Sequence, residues 1–139
     1  IPSSVEVQKE FFCIQDIAPT FLDIANTTYP SEWNGKKIEP QRGVSALPYL
    51  TGKATKVHDD DFVFAIEHRR SAFLRKGNWK ITNQADAAKN ELFQMYNLEN
   101  DFSEQQNLAS KEPEKLKELL ADWEQYKKEV GVLFLEKMN

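Results

Sequence analysis

Cysteine is almost absent from this 139-residue chain. Cys13 stands alone in the apolar stretch "FFCIQ", so no disulfide can form within the chain, and a buried thiol is expected. Histidine is nearly as scarce, with only His58 and His68. No metal-type Cys/His spacing is present, and that scarcity leaves little material for a nucleophile and its base. There is no G-x-x-x-x-G-K-[ST] phosphate loop and no G-x-S-x-G elbow. No apolar run approaches the ~20 residues that a membrane-spanning helix needs. The start, "IPSSVEVQKE", lacks the charged-then-apolar order of a signal peptide and lacks an initiator Met, as expected of a chain cut from a longer one.

What is present suffices for one folded unit with a real core, since 40% of the residues are hydrophobic. Net charge is −4, unevenly spread. Arg69, Arg70, Arg75, Lys76 and Lys80 face only Glu67 in the stretch 66–80, whereas residues 98–139 hold six Lys against ten Asp and Glu. A basic strip in an acidic protein suits an anionic ligand or an acidic neighbour and not bulk nucleic acid. The competing reading is a solvated strand edge, with Lys and Arg as guards against aggregation.

The patterning predicts α+β architecture. A short strand through Phe11, Phe12 and Ile14 leads into a helix at "QDIAPTFLDIAN", with Asp16 as N-cap and Pro19 in the first turn. The stretch "NTTYPSEWNGKKIEPQRG" reads as a connector, and "SALPYLTG" as one or two helical turns opened by Ser45 and closed by Gly52. "KATKVHDD" reads as a polar linker with His58 in solvent. Period-two alternation begins at "DFVFAIEH", and a hairpin around Gly77 joins "SAFLR" to "WKITN". "ELFQMYNL" is a further strand, so three or four antiparallel strands are expected. In "KEPEKLKELLADWEQYKKEVG", Leu116, Leu119, Leu120, Trp123, Tyr126 and Val130 recur at helical spacing, giving a long amphipathic helix that must cover the sheet. The polar corner "NLENDFSEQQNLA" is expected to be structural. Asn100 and Asp101 reverse the chain, Asn107 bonds backbone again, and Leu108 pins the corner to the core.

Candidate site residues are Glu67, His68, Arg69 and Arg70. Continued alternation would put Glu67 and Arg69 on one face, His68 and Arg70 on the other. An imidazole beside guanidinium groups can donate hydrogen bonds to a sulfate, phosphate or carboxylate. His58 with Asp59, Asp60 and Asp61 offers a weaker metal-dependent alternative, because calcium loops alternate their ligands around a shaping Gly.

Segments "QDIAPTFLDIAN", "RGVSALPYLTG", "EHRRSAFLRKGNWKI" and "MYNLENDFSEQQNLA…PEKLKELLADWEQY" together resemble, in that order, the C-terminal part of sulfatases of the arylsulfatase type, in the alkaline-phosphatase-like superfamily. The likeness runs from about Phe12 to about Val132. It implies that residues 1–57 are the tail end of the large sulfatase domain and a connector, and 58–139 its C-terminal subdomain. It further implies a parent sulfate-ester hydrolase that acts on a sulfated small molecule or sugar. Such a parent would use a divalent cation, usually calcium, and a formylglycine made from Cys or Ser in C/S-x-P-x-R. Cys13 is followed by Ile14, Gln15 and Asp16, so this chain carries no such nucleophile and is expected to be inactive alone. The missing N-terminal catalytic domain is then its partner, and export to the periplasm or beyond the cell is favoured. The resemblance also places Glu67, His68, Arg69 and Arg70 at the edge of the substrate pocket. Three departures stand out: Arg70 where the family often has Gly, Ala72 where it has Arg, and Phe102 where it usually has Pro. The first two are expected to change the charge of the substrate-facing edge. The alternative is a stand-alone, non-catalytic module that binds an anionic glycan or protein.

Overall fold

The computed structural model describes residues 10–134, and the lead-in 1–9 lies outside them. The chain divides into two compact units after Asp59.

In the first unit, residues 10–13 form no strand; a 3₁₀ turn at Ile14–Asp16 runs directly into α1, Ile17–Ile24. Asp16 does precede the helix, but its carboxylate bonds no helical N–H of the first turn. It turns back to the Cys13 N–H instead. The expected connector contains a hairpin, β1 Glu32–Trp33 and β2 Lys36–Lys37, closed by Asn34 and Gly35 at φ of 50° and 73°. Both central residues of such a turn need positive φ, which is why Asn-Gly favours it. Of the one or two turns expected, one forms as α2, Leu47–Leu50, with Ser45 Oγ accepting the Leu47 N–H and Gly52 left-handed behind it.

The second unit is a four-stranded antiparallel sheet in simple order: β3 Val63–His68, β4 Ser71–Lys76, β5 Trp79–Asn83 and β6 Gln94–Asn97. Register alternates two faces. Ala65, Ala72, Leu74, Ile81 and Met95 point to one side and are buried there against Leu119 and Trp123 of α3, Pro113–Val130. Phe64, Ile66, His68, Phe73, Lys80 and Thr82 occupy the other side. Leu116, Leu120 and Tyr126 pack on the core from partly exposed positions, whereas Val130 lies at the exposed end of the helix. Gly131, at φ 71°, ends α3 with its N–H on the Lys127 carbonyl.

The polar corner is built as expected. Asp101 accepts the N–H groups of Gln105 and Gln106, and Asn107 Oδ1 accepts those of Met95 and Ala109. Leu108 returns a bond from its N–H to the Met95 carbonyl and packs on the core. Ala72 is also a core residue, 6% exposed, so its departure from the family pattern acts on packing and not on an exposed charge.

Because Trp123 is fully buried and Phe102 is 85% exposed, their truncations should differ sharply. Trp123→Ala is expected to cost about 3–5 kcal/mol in urea unfolding, against under about 0.5 kcal/mol for Phe102→Ala.

Candidate functional site

Of the four expected site residues, two end a strand and two make a turn. β3 stops at His68 and β4 starts at Ser71, directly opposite it, so Arg69 and Arg70 are the two loop residues of a tight hairpin. Their φ values of 51° and 69° are both left-handed. Alternation therefore ends at His68, and the expected pairing of faces for Arg69 and Arg70 does not hold. A side chain in this conformation costs roughly 1–2 kcal/mol per residue. A Gly at the position of Arg70 would avoid that cost.

Several bonds hold the turn. Glu67 Oε1 accepts the Arg70 N–H at 2.8 Å, and the Arg70 carbonyl accepts the Ala87 N–H at 2.7 Å. The Arg70 guanidinium donates to Asp86 Oδ1 at 2.6 Å and lies 5.6 Å from the Phe134 ring centroid. Asp86 is itself set by Asn83. The Asn83 side chain, in a residue only 2% exposed, accepts the N–H groups of Ala85 and Asp86 and donates to the carbonyls of Asp86 and Lys89. Asn83, Asp86 and Ala87 were not among the expected site residues. Their signal in sequence is the "NQAD" spacing, in which an Asn side chain closes a short turn on itself.

His68 is exposed and helps line an open recess of about 490 Å³ on the outer sheet face, with Ile66, Ser71, Phe73, Lys80 and Thr82. Arg69, the next residue in the chain, is exposed as well. The rest of the basic strip is spent nearby. Lys76 meets Glu118 and Asp122 of α3 at 3.2 and 2.9 Å, Lys80 meets Glu104 at 2.6 Å, and Arg75 donates to the Gly77 carbonyl. The outer edge thus combines an imidazole, a guanidinium and two hydroxyls with the apolar surface of Ile66 and Phe73. It can donate hydrogen bonds to an anion or a polyol, and it holds no paired nucleophile and base.

Asp59, Asp60 and Asp61 are exposed, but His58 is not the solvated residue expected: it is 8% exposed, with Nε2 2.8 Å from Asp16 Oδ2. Among the described residues, the group able to hold a metal ion is therefore Cys13, Asp16 and His58. Burial pushes the Cys13 thiol up to about 11, helped by its hydrogen bond to the Asp16 carboxylate. Burial alone would also raise Asp16, but the Cys13 N–H, His58 and the Val44 N–H hold its carboxyl below the usual aspartate value.

Asp86 supplies a pH test of the turn. Burial would raise its pKa, yet the Ala88 N–H and the Arg70 guanidinium keep it below the ordinary 3.8. Its contribution is then complete above the unfolded value and is lost as pH falls through the lower folded value. The stability difference between the native chain and Asp86→Asn should stay constant above about pH 5 and shrink below it. A difference that is flat down to acid unfolding would contradict the clamp.

No protein-family model matches the chain. It is 32% identical, over 130 residues and 91% of its length, to an uncharacterized sulfatase of Schizosaccharomyces pombe. The chain spans 23% of the length of that relative. Among solved structures, Ps i-CgsB in complex with k-i-k-neocarrahexaose superposes on 80% of the chain with a TM-score of 0.60 at 23% identity, the match covering 23% of that protein. A protein solved in complex with its substrate, D-glucosamine-2-N,6-O-disulfate, covers 81% of the chain and 23% of its own length, with a TM-score of 0.53 and 25% identity. By sequence and fold the chain is similar to the C-terminal portion of sulfatases.

Proposed function

We propose that this chain is the C-terminal segment of a sulfate-ester hydrolase, where it completes the fold and borders the substrate pocket with the edge Glu67–Arg70. The observation that carries the reading is the 32% identity to a sulfatase over 91% of the chain. A relative by fold has a disulfated glucosamine as its substrate, which supports a sulfated sugar as the ligand class here.

The four residues divide the work. His68 and Arg69 face solvent beside the recess and meet oxygens of the sugar or of a second anionic group. Glu67 and Arg70 are positioning residues, spent on holding the turn. Nucleophile and metal are supplied by the parent's other domain. Cys13, buried and outside any C/S-x-P-x-R context, does not fit a formylglycine, and no step is assigned to it.

Exposed apolar side chains favour this reading over a stand-alone glycan-binding module. Ile14, Ile17, Phe21 and Ile24 on or beside α1 are 79, 41, 66 and 58% exposed. A free-standing module rarely leaves such a stripe uncovered. In the parent it is the contact with the larger domain.

In the full-length enzyme, His68→Ala and Arg69→Ala should each lower kcat/KM on a sulfated sugar about 10–100-fold, mostly through KM. Hydrolysis of a small aryl sulfate that does not reach the edge should change little. Unchanged kcat/KM for both variants across sulfated sugars would remove the edge from the pocket.

A further inference from the structure

We propose that Cys13, Asp16 and His58 form a binding site for one zinc-like divalent ion. The donor atoms, one S, one O and one N, all lie within 4.8 Å of one another. A tetrahedral ion with bonds of roughly 2.0–2.3 Å needs its donors about 3.2–3.8 Å apart. To admit it, the 2.8 Å Asp16–His58 contact opens slightly and donors lying up to 4.8 Å apart close by about 1 Å. Sulfur and imidazole donors favour zinc over calcium or magnesium, which take oxygen.

Charge and support both suit the ion. A carboxylate and a thiolate balance a divalent cation, and all three residues are less than 10% exposed. The carboxylate is aimed from outside the donor set by the N–H groups of Cys13 and Val44, at 2.8 and 3.0 Å. Gly43 makes the second of these possible: a Cβ there would meet the Gln15 carbonyl oxygen at 2.0 Å, so only glycine lets this loop approach so closely. Thr20 adds a further tie, accepting the Ala46 N–H while donating to the Asp16 carbonyl. Asp16 and Cys13 are thereby held on a braced turn, and His58 reaches them from 42 residues away.

Without metal, the thiol keeps its proton and donates to Asp16. On binding, the Cys13 S–H bond breaks, a sulfur–metal bond forms, and the proton leaves to solvent. His58 binds the ion through Nε2, and the proton that Nε2 shares with Asp16 Oδ2 moves to Nδ1. Three protein donors leave a fourth position for water.

Titration of the full chain with Co²⁺ tests the site directly. Because Cys13 is the only cysteine, a thiolate-to-cobalt charge-transfer band can arise from no other residue. One Co²⁺ per chain, displacement by Zn²⁺ and an affinity loss of about tenfold or more in His58→Gln are expected. The proposal is overturned by the absence of a thiolate band at saturating Co²⁺, by one ion shared between two chains, or by undiminished affinity in His58→Gln. Circular dichroism of His58→Gln before titration separates loss of a ligand from loss of the fold. If that variant is unfolded, Asp16→Asn replaces it under the same criterion.

Discussion

Arg69 and Arg70 hold left-handed backbone conformations that non-glycine residues disfavour, and they stay there because bonds from Glu67, Asp86 and Ala87 converge on the turn. Everything assigned to the outer edge depends on that constraint. A two-residue loop fixes the register His68 opposite Ser71, and that register puts Ile66, His68 and Phe73 on the face away from α3. A one-residue slip would exchange the two faces and bury His68 against Leu119 and Trp123. The cost of the turn is offset by contacts from the 83–89 loop, so the loop and the hairpin tip form one device. The Arg70 guanidinium adds its own tie to that device through Asp86.

The basic strip changes meaning once its partners are known. Lys76 and Lys80 serve the fold, one joining the sheet to α3 and the other holding the corner after β6. Arg70 serves the turn. What remains exposed is Arg69 beside His68, a smaller and more directed feature than five cations in sequence suggested. Surface pairs of this kind contribute little stability, commonly about 0–1 kcal/mol, so their weight lies in where they leave the remaining charge.

Much of the fold was legible in the sequence wherever local chemistry decides the outcome. The stripe Leu116, Leu119, Leu120 and Trp123 names α3, Gly77 marks its hairpin, and Asn107 with Leu108 explains the corner. Asn34-Gly35 carried an equally local signal for β1–β2, masked by the prolines and polar residues around it. The β3–β4 turn was hidden because Arg-Arg has no turn propensity and two of its supports, Asp86 and Ala87, lie 16 or more residues away. His58 was hidden for the same reason. Among "KATKVHDD" it looks solvated, and only a partner 42 residues back makes it a buried residue. Ala72 looked like a change of charge at the edge and proves to be a change in the core. Local signals reveal elements, whereas long-range polar contacts reveal sites.

The most direct test of the account is the nucleotide sequence upstream of the codon for Ile1. The account predicts a continuous reading frame that contains C-x-P-x-R or S-x-P-x-R, with an Asp pair near its start. A start codon immediately before Ile1, with no such motif in frame, would contradict it. The sheet edge at His68 and Arg69 would then belong to a binding module and not to a sulfatase.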